Sequence, residues 1–316
     1  MRDVTQFRNW LNGWSKRLEK SNPECGLPSC TARRATWARF RRLRRGALLQ
    51  GVFYCQRECV ETALMAQLAR LHALPPAAPP PNRIPLGLLM VARGWLTHEQ
   101  VVTALAAQQR ARSGQIGEWF EKLGFATEQQ VTTALGLQWG CPITLARDAA
   151  SFTPVGPIPL TILEAFQMVP LQFVPAANTI YIAFGQRVDH AALYSIEKLL
   201  NCHTQPCVAG RKFVADELAR MRQQPRPREL EFETVRDFTE IGRVSLSYML
   251  RLGADEALLG RVGDFIWLRL RERKSFTDLL FRVGVKQQFS VPSSRFSVPR
   301  PQLSASSPRK QRGMLK

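Results

Sequence analysis

No glycine in this 316-residue chain is followed by lysine, so the phosphate-cradling G-x4-G-K-[ST] loop is absent. G-x-S-x-G and H-E-x-x-H are missing too, which removes the nucleophile elbow and the zincin helix. There are only four histidines, His72, His98, His190 and His203, and they are scattered. Nothing here reads as an active site, and the expectation is a protein that is not an enzyme. No apolar run approaches the ~18 residues needed to cross a bilayer; the longest, Leu86–Val91, is interrupted by Gly87. The apolar segment and small-residue cleavage site of a secretory signal are not found after Met1, so a cytoplasmic location is expected. Acid is scarce, with 25 Asp and Glu against 44 Lys and Arg, a net charge of +19. Residues 33–45 carry seven arginines and no acid, and Lys286–Lys316 carries seven basic residues and no acid. Such segments favour anionic partners, nucleic acid or a lipid surface, or are simply solvated runs that aid solubility.

What is present falls into several parts. Residues 1–22 read as an amphipathic helix, with Val4, Phe7, Trp10, Leu11, Trp14 and Leu18 on one face. That face could lie on a membrane or pack on the next domain. Residues 23–74 are cysteine-rich. Six prolines within 75–85 rule out regular helix or central strand there, leaving a stiff linker. Residues 86–138 are helical and repetitive. Residues 155–222 alternate as helix, strand, strand, helix, strand, helix, a small α+β unit. In it Pro159–Phe166 opens as a short helix, Met168–Val174 and Thr179–Phe184 form a hairpin, and Asp189 caps a helix through Leu200. A second linker at 223–231 precedes a region, 232–284, whose apolar residues suggest helices. From 285 onward Ser, Pro, Gln and basic residues predict disorder. The fold class expected is α+β: a tandem helical repeat and a small α+β unit, between a cysteine-rich segment and a helical region.

The repeat is legible residue by residue. Leu86-Gly87, Met90, Gly94, Val101, Leu105 and Gln108 recur, at an offset of 30, as Ile116-Gly117, Phe120, Gly124, Val131, Leu135 and Gln138. Thr97 and Thr127 follow the second glycine of each half and look like helix N-caps. Each half (86–108 and 116–138) is therefore a short helix, a glycine stop, a cap and a longer helix. By helical spacing the leucine-like positions belong to the core.

This pattern resembles the N-terminal domain of type II secretion and type IV pilus assembly ATPases. That domain carries two copies of a motif close to R-L-G-x-x-L-x-x-x-G-x6-L-x-x-x-L-x-x-Q and then a small α+β unit. The resemblance covers roughly residues 84–222. It implies binding of cyclic di-GMP, with Leu86, Gly87 and Gln108 of one copy and Ile116, Gly117 and Gln138 of the other as contacts. The ATPase half is absent, so that activity does not follow. The chain also departs from the pattern. Pro85 and Gln115 stand where the motif opens with arginine, and the connector 109–114 is one residue longer. Losing both arginines removes the stackable, bidentate cation suited to guanine and phosphate. Arg83, Arg110 and Arg112 are near enough in sequence to substitute. A repeat kept for packing alone is the other reading. The segment Ile241-Gly242 to Gly253 faintly echoes a third copy.

Four of the seven cysteines form two close pairs, Cys25 with Cys30 and Cys55 with Cys59. One pair at a hairpin end and one at a helix start suit tetrahedral zinc, and metal binding would supply folding free energy to a short arginine-rich segment. The Phe53-Tyr54-Cys55-x3-Cys59 run resembles the second half of treble-clef-like zinc fingers. Convergence of the four sulfurs within roughly 4 Å is expected, with a hairpin turn at Gln50–Gly51. Loss of one thiol is expected to unfold residues 23–60 alone, because the proline linker isolates them. The alternative is four free cysteines. Cys141, Cys202 and Cys207 read as small core residues. The function expected is a regulatory or adaptor protein of a secretion, pilus or polysaccharide machine, sensing cyclic di-GMP. The alternative is nucleic-acid binding through the arginine run beside the zinc-finger-like cysteines.

Overall fold

The structure, a computed structural model, describes residues 24–30, 46–73, 83–144, 158–233, 237–272 and 275–283. The expected helix at 1–22, the arginine run, most of the proline stretch and the basic tail lie outside the described residues. The expected hairpin is present. Strands β1 (Ala47–Leu49) and β2 (Val52–Tyr54) pair antiparallel around Gln50 and Gly51, both at positive φ, as the favoured two-residue turn requires. Helix α1 (Arg57–Ala73) follows. The repeat supplies α2 (Leu86–Ala92), α3 (His98–Ala111), α4 (Ile116–Lys122) and α5 (Glu128–Trp139).

After the short strand β3 (Ile143–Thr144), the α+β unit runs as read from the sequence. Its elements are α6 (Leu160–Ala165), β4 (Met168–Val174), β5 (Thr179–Phe184), α7 (His190–Leu200), β6 (His203–Ala209) and α8 (Arg211–Arg222). A 3-10 turn, Pro175–Ala177, joins β4 to β5, and Asp189 accepts the Ala192 amide at 2.9 Å. The strands form one sheet in the order β3-β6-β5-β4.

The C-terminal region corrects the sequence reading. It is helical only over α9 (Phe238–Leu252). The remainder is a three-strand meander, β8 (Glu256–Val262), β9 (Phe265–Arg271) and β10 (Phe276–Arg282). The stretch expected as a linker ends in β7 (Arg228–Phe232). The reason is burial on both faces. In β9, Ile266, Leu268 and Leu270 point to the core under α1 and α9, while Trp267 points to the core of the α+β unit. A strand with no polar face loses the alternation that marks strands and reads like a buried helix. Nor does α9 contain a third repeat copy. It runs 15 residues without a stop, and a Cβ on Gly242 would collide with Met65 Sδ, so this glycine serves close α9–α1 packing.

These strands build a second sheet in the order β2-β1-β8-β9-β10-β7, with β1 parallel to β8 and β7 parallel to β10. The cysteine-rich hairpin and the C-terminal region thus share one sheet. Helices α1 and α9 cover one face. On the other, α7 lies against β8 and also contacts β6, so it is sandwiched between the two sheets. Gly260 permits this approach, since a Cβ there would stand 2.8 Å from Leu199 of α7.

Candidate functional site

Each half of the repeat is set by local chemistry. Thr97 accepts the Gln100 amide while Gln100 returns a bond to the Thr97 amide, a complete capping box, and Thr127 with Gln130 repeats it. The Thr-x-x-Gln spacing was readable in the sequence beside the two threonines. Gly94 and Gly124 take φ of 70° and 71° at the stops. Gly87 and Gly117 serve close approach: a Cβ would lie 2.9 Å from Val101 Cγ1 in the first half and 2.8 Å from Val131 Cγ1 in the second.

The two halves close on each other. Helix α3 packs on α4, and α5 packs back on α2. Gln108 Nε2 donates to the Gly114 carbonyl at 2.9 Å, two residues before Ile116. Gln138 Nε2 donates to the Ile84 carbonyl at 2.7 Å, two residues before Leu86. Each closing glutamine therefore clasps the segment that opens the other helix pair. Such reciprocity relates the halves as a two-fold axis would, and it brings the six expected contact residues into one small domain. Leu86, Gly87 and Gly117 are buried, while Ile116, Gln108 and Gln138 are half-buried. Each carboxamide spends one N–H on its clasp, so only its second N–H and its oxygen could meet a ligand. Leu105, expected in the core, is 41% exposed.

The opening positions hold no cation. Gln115 Nε2 donates to Gln186 Oε1 at 2.6 Å. Arg83 donates to the Gln138 carbonyl at 2.7 Å and lies 3.9 Å over the Trp139 ring, which gives it a packing role. Arg110 and Arg112 are exposed at the end of α3. The second half is also bound to the α+β unit. Glu118 pairs with Arg211 at 3.1 Å, and Glu128 accepts the Lys212 amide at 2.9 Å at the start of α8. Burial, and then Glu128, raise the Glu121 carboxyl above the usual range.

The second candidate is the cysteine cluster. Cys25 and Cys30 lie in the loop 24–30, Cys55 follows β2, and Cys59 is in the first turn of α1. All four are buried, and their sulfurs lie within 4.8 Å of one another. Cys30 Sγ is 3.5 Å from Cys55 Sγ and 3.7 Å from Cys59 Sγ. Burial, and then the neighbouring thiols Cys30 and Cys25, push Cys55 up to about 11 and Cys59 higher. A cation at the centre would reverse that bias, since thiolates are the metal-binding form. The four sulfurs converge as expected, though over 4.8 Å where roughly 4 Å was expected, and the group could hold a metal ion. Among the described residues no other group of three or more His, Cys, Asp or Glu converges in this way. Cys202 and Cys207 are buried in the α+β core, as their reading as small apolar residues requires.

No family model matches the sequence, and no curated protein matches it. Among solved structures, one described as MshE with cdg is 25% identical, with a TM-score of 0.35, over 44% of this chain and 99% of that one. The N-terminal domain of XpsE is 17% identical, with a TM-score of 0.34, over 43% of this chain and 92% of that one. A further crystal form of the XpsE domain is 16% identical, with a TM-score of 0.27, over 42% and 90%. Each likeness spans less than half of this chain and nearly all of the other.

Proposed function

We propose that this chain is a non-enzymatic regulatory module that binds cyclic di-GMP across its repeat pair and passes that state to a protein of a secretion, pilus or polysaccharide machine. The observation that carries the reading is the reciprocal closure of the two halves. Cyclic di-GMP has two guanines and two phosphates related by a two-fold axis. A domain whose halves exchange equivalent contacts offers each half-ligand a corresponding backbone opening and closing glutamine, as isologous interfaces do. The Gln108 and Gln138 amides supply donor and acceptor for guanine edges. The exposed Arg110 and Arg112 are the cations nearest in sequence to the Gln115 opening. A protein contact is supported by the surface of the first half. Leu88, Val102 and Leu105 are 47%, 51% and 41% exposed. At the equivalent positions of the second half, Thr132 is buried, Glu118 pairs with the α+β unit and Leu135 packs against its core.

Calorimetric titration of the full chain with cyclic di-GMP, at tens of micromolar protein, tests the ligand. Saturable heat at one ligand per chain is expected. The absence of heat would remove the ligand and leave the adaptor reading. A second reading, binding of nucleic-acid phosphates, is favoured by the position of the arginine run, which is flanked by Cys30 of the thiol cluster and by β1. Its affinity for random duplex must fall steeply with salt, and no binding at low salt would remove it.

A further inference from the structure

We propose that Cys25, Cys30, Cys55 and Cys59 hold one tetrahedral zinc ion, and that this ion fastens the loop 24–30 and the first hairpin into the large sheet. Three observations converge. The first is spacing. With zinc–sulfur bonds of about 2.3 Å, the sulfurs of a tetrahedral site stand about 3.8 Å apart. The 3.5 and 3.7 Å separations match that edge, and the spread of all four sulfurs, 4.8 Å, needs to close by about 1 Å around a single ion. Iron–sulfur clusters spread their cysteines further, because irons and sulfides lie between them. Soft thiolates exclude magnesium and calcium.

The second observation is what else holds the loop. Of its seven described residues only Cys25 and Cys30 are buried; Leu27 is half-buried, and Glu24, Gly26, Pro28 and Ser29 are exposed. The Gly26 amide donates to the Phe53 carbonyl at 2.8 Å, which ties the loop to β2. That is too little apolar burial to offset the ordering of seven residues, roughly 1–2 kcal/mol each. A metal supplies the missing free energy. The third is position. The ligands come from the loop, the end of β2 and the first turn of α1. From there β1 enters the sheet parallel to β8, through Leu48 N to Asp255 O and Gln50 N to Ala257 O, both 2.9 Å. Helix α1 lies on α9. The ion therefore anchors a segment whose partners lie about two hundred residues onward.

Elemental analysis of the full chain, purified reduced and without added metal, tests this. The result expected is one zinc per chain, lost on Cys55→Ser and kept on Cys141→Ser. Stripping the ion should speed amide exchange in 24–30, 46–54 and along β8, and leave α3 and α5 unchanged. Should the serine variant fail to fold, cobalt exchange into the wild type decides, through the intense visible bands of a tetrahedral cobalt–thiolate site. Zinc well below one per chain, iron in its place, two disulfides among the four cysteines, or cobalt without those bands would each overturn the assignment.

Discussion

Glu229 stands on β7 directly opposite Asp278 of the parallel neighbour β10, which puts two carboxylates side by side under the α+β unit. The two are partnered differently. Asp278 accepts from Trp267 Nε1 and Arg269 Nε, both at 2.8 Å, and its other oxygen takes Arg269 Nη2 at 2.8 Å. Breaking so buried a bidentate pair would strand a charge. Glu229 caps α6 instead, accepting the Leu160 amide at 3.0 Å, with Arg226 at 3.5 Å. Burial is the largest influence on it and Asp278 adds to it; together they outweigh the Leu160 and Arg226 contacts and raise its pKa. The sign of the linkage follows. The folded chain holds this proton more tightly than the unfolded chain, so the stability it contributes is full below the unfolded pKa and is lost as pH rises through the folded one. Glu229→Gln keeps the acceptor for Leu160 and removes the titration. Its unfolding free energy at pH 7 is expected to equal or exceed that of the wild type, with the gap closing on acidification through the carboxylate range. Urea melts between pH 4 and 7 measure this, and a variant less stable than the wild type at pH 7, with that deficit closing on acidification, would show that Arg226 outweighs burial.

At the scale of elements, the helix pairs of the repeat depend on two bare backbones. The Cβ positions at Gly87 and Gly117 fall 2.9 and 2.8 Å from valine methyls of the following helix. Gly87→Ala and Gly117→Ala are each expected to cost about 1–3 kcal/mol, the range for overpacking a filled core. Adding Val101→Ala to Gly87→Ala should recover part of that cost, because the added methyl then has room. Denaturant unfolding of the single and double variants reads the coupling, and strict additivity would mean that the two residues do not share the contact. These helices were legible in the sequence because period, glycine stop and threonine cap are all local signals. The hairpin with its two cysteine pairs was legible for the same reason. The clasps from Gln108 and Gln138 were not, since Gln138 reaches a carbonyl 54 residues earlier in the chain. Strands β8 to β10 were missed because residues such as Trp267 and Ile266 are buried on opposite faces, which erases the polar alternation.

At the scale of the molecule, the proline stretch at 75–85 does not divide the chain as its composition suggests. Residues before it supply β1, β2 and α1; residues after it supply β8 and α9, their partners in sheet and core. Leu49, Leu64 and Leu68 share one buried cluster with Ile241, Leu259, Ile266 and Leu279. Such a core belongs to one cooperative unit, so loss of a thiol ligand should loosen the C-terminal sheet as well as residues 23–60. Hydrophobic burial needs no covalent continuity, so cutting the chain between the two parts should leave them together. A specific protease site placed between Pro79 and Pro80 tests this with the full chain. After complete cleavage the two pieces, 1–79 and 80–316 plus the inserted residues, are expected to elute as one species in size-exclusion chromatography and to separate only in denaturant. The same cut should bring the melting temperature down and make it concentration-dependent, because association then replaces an intramolecular closure. Pieces that part under native conditions would show that the β1–β8 pairing and the α1–α9 contact are too weak to define the unit, and the 23–74 segment would then stand as a separate domain.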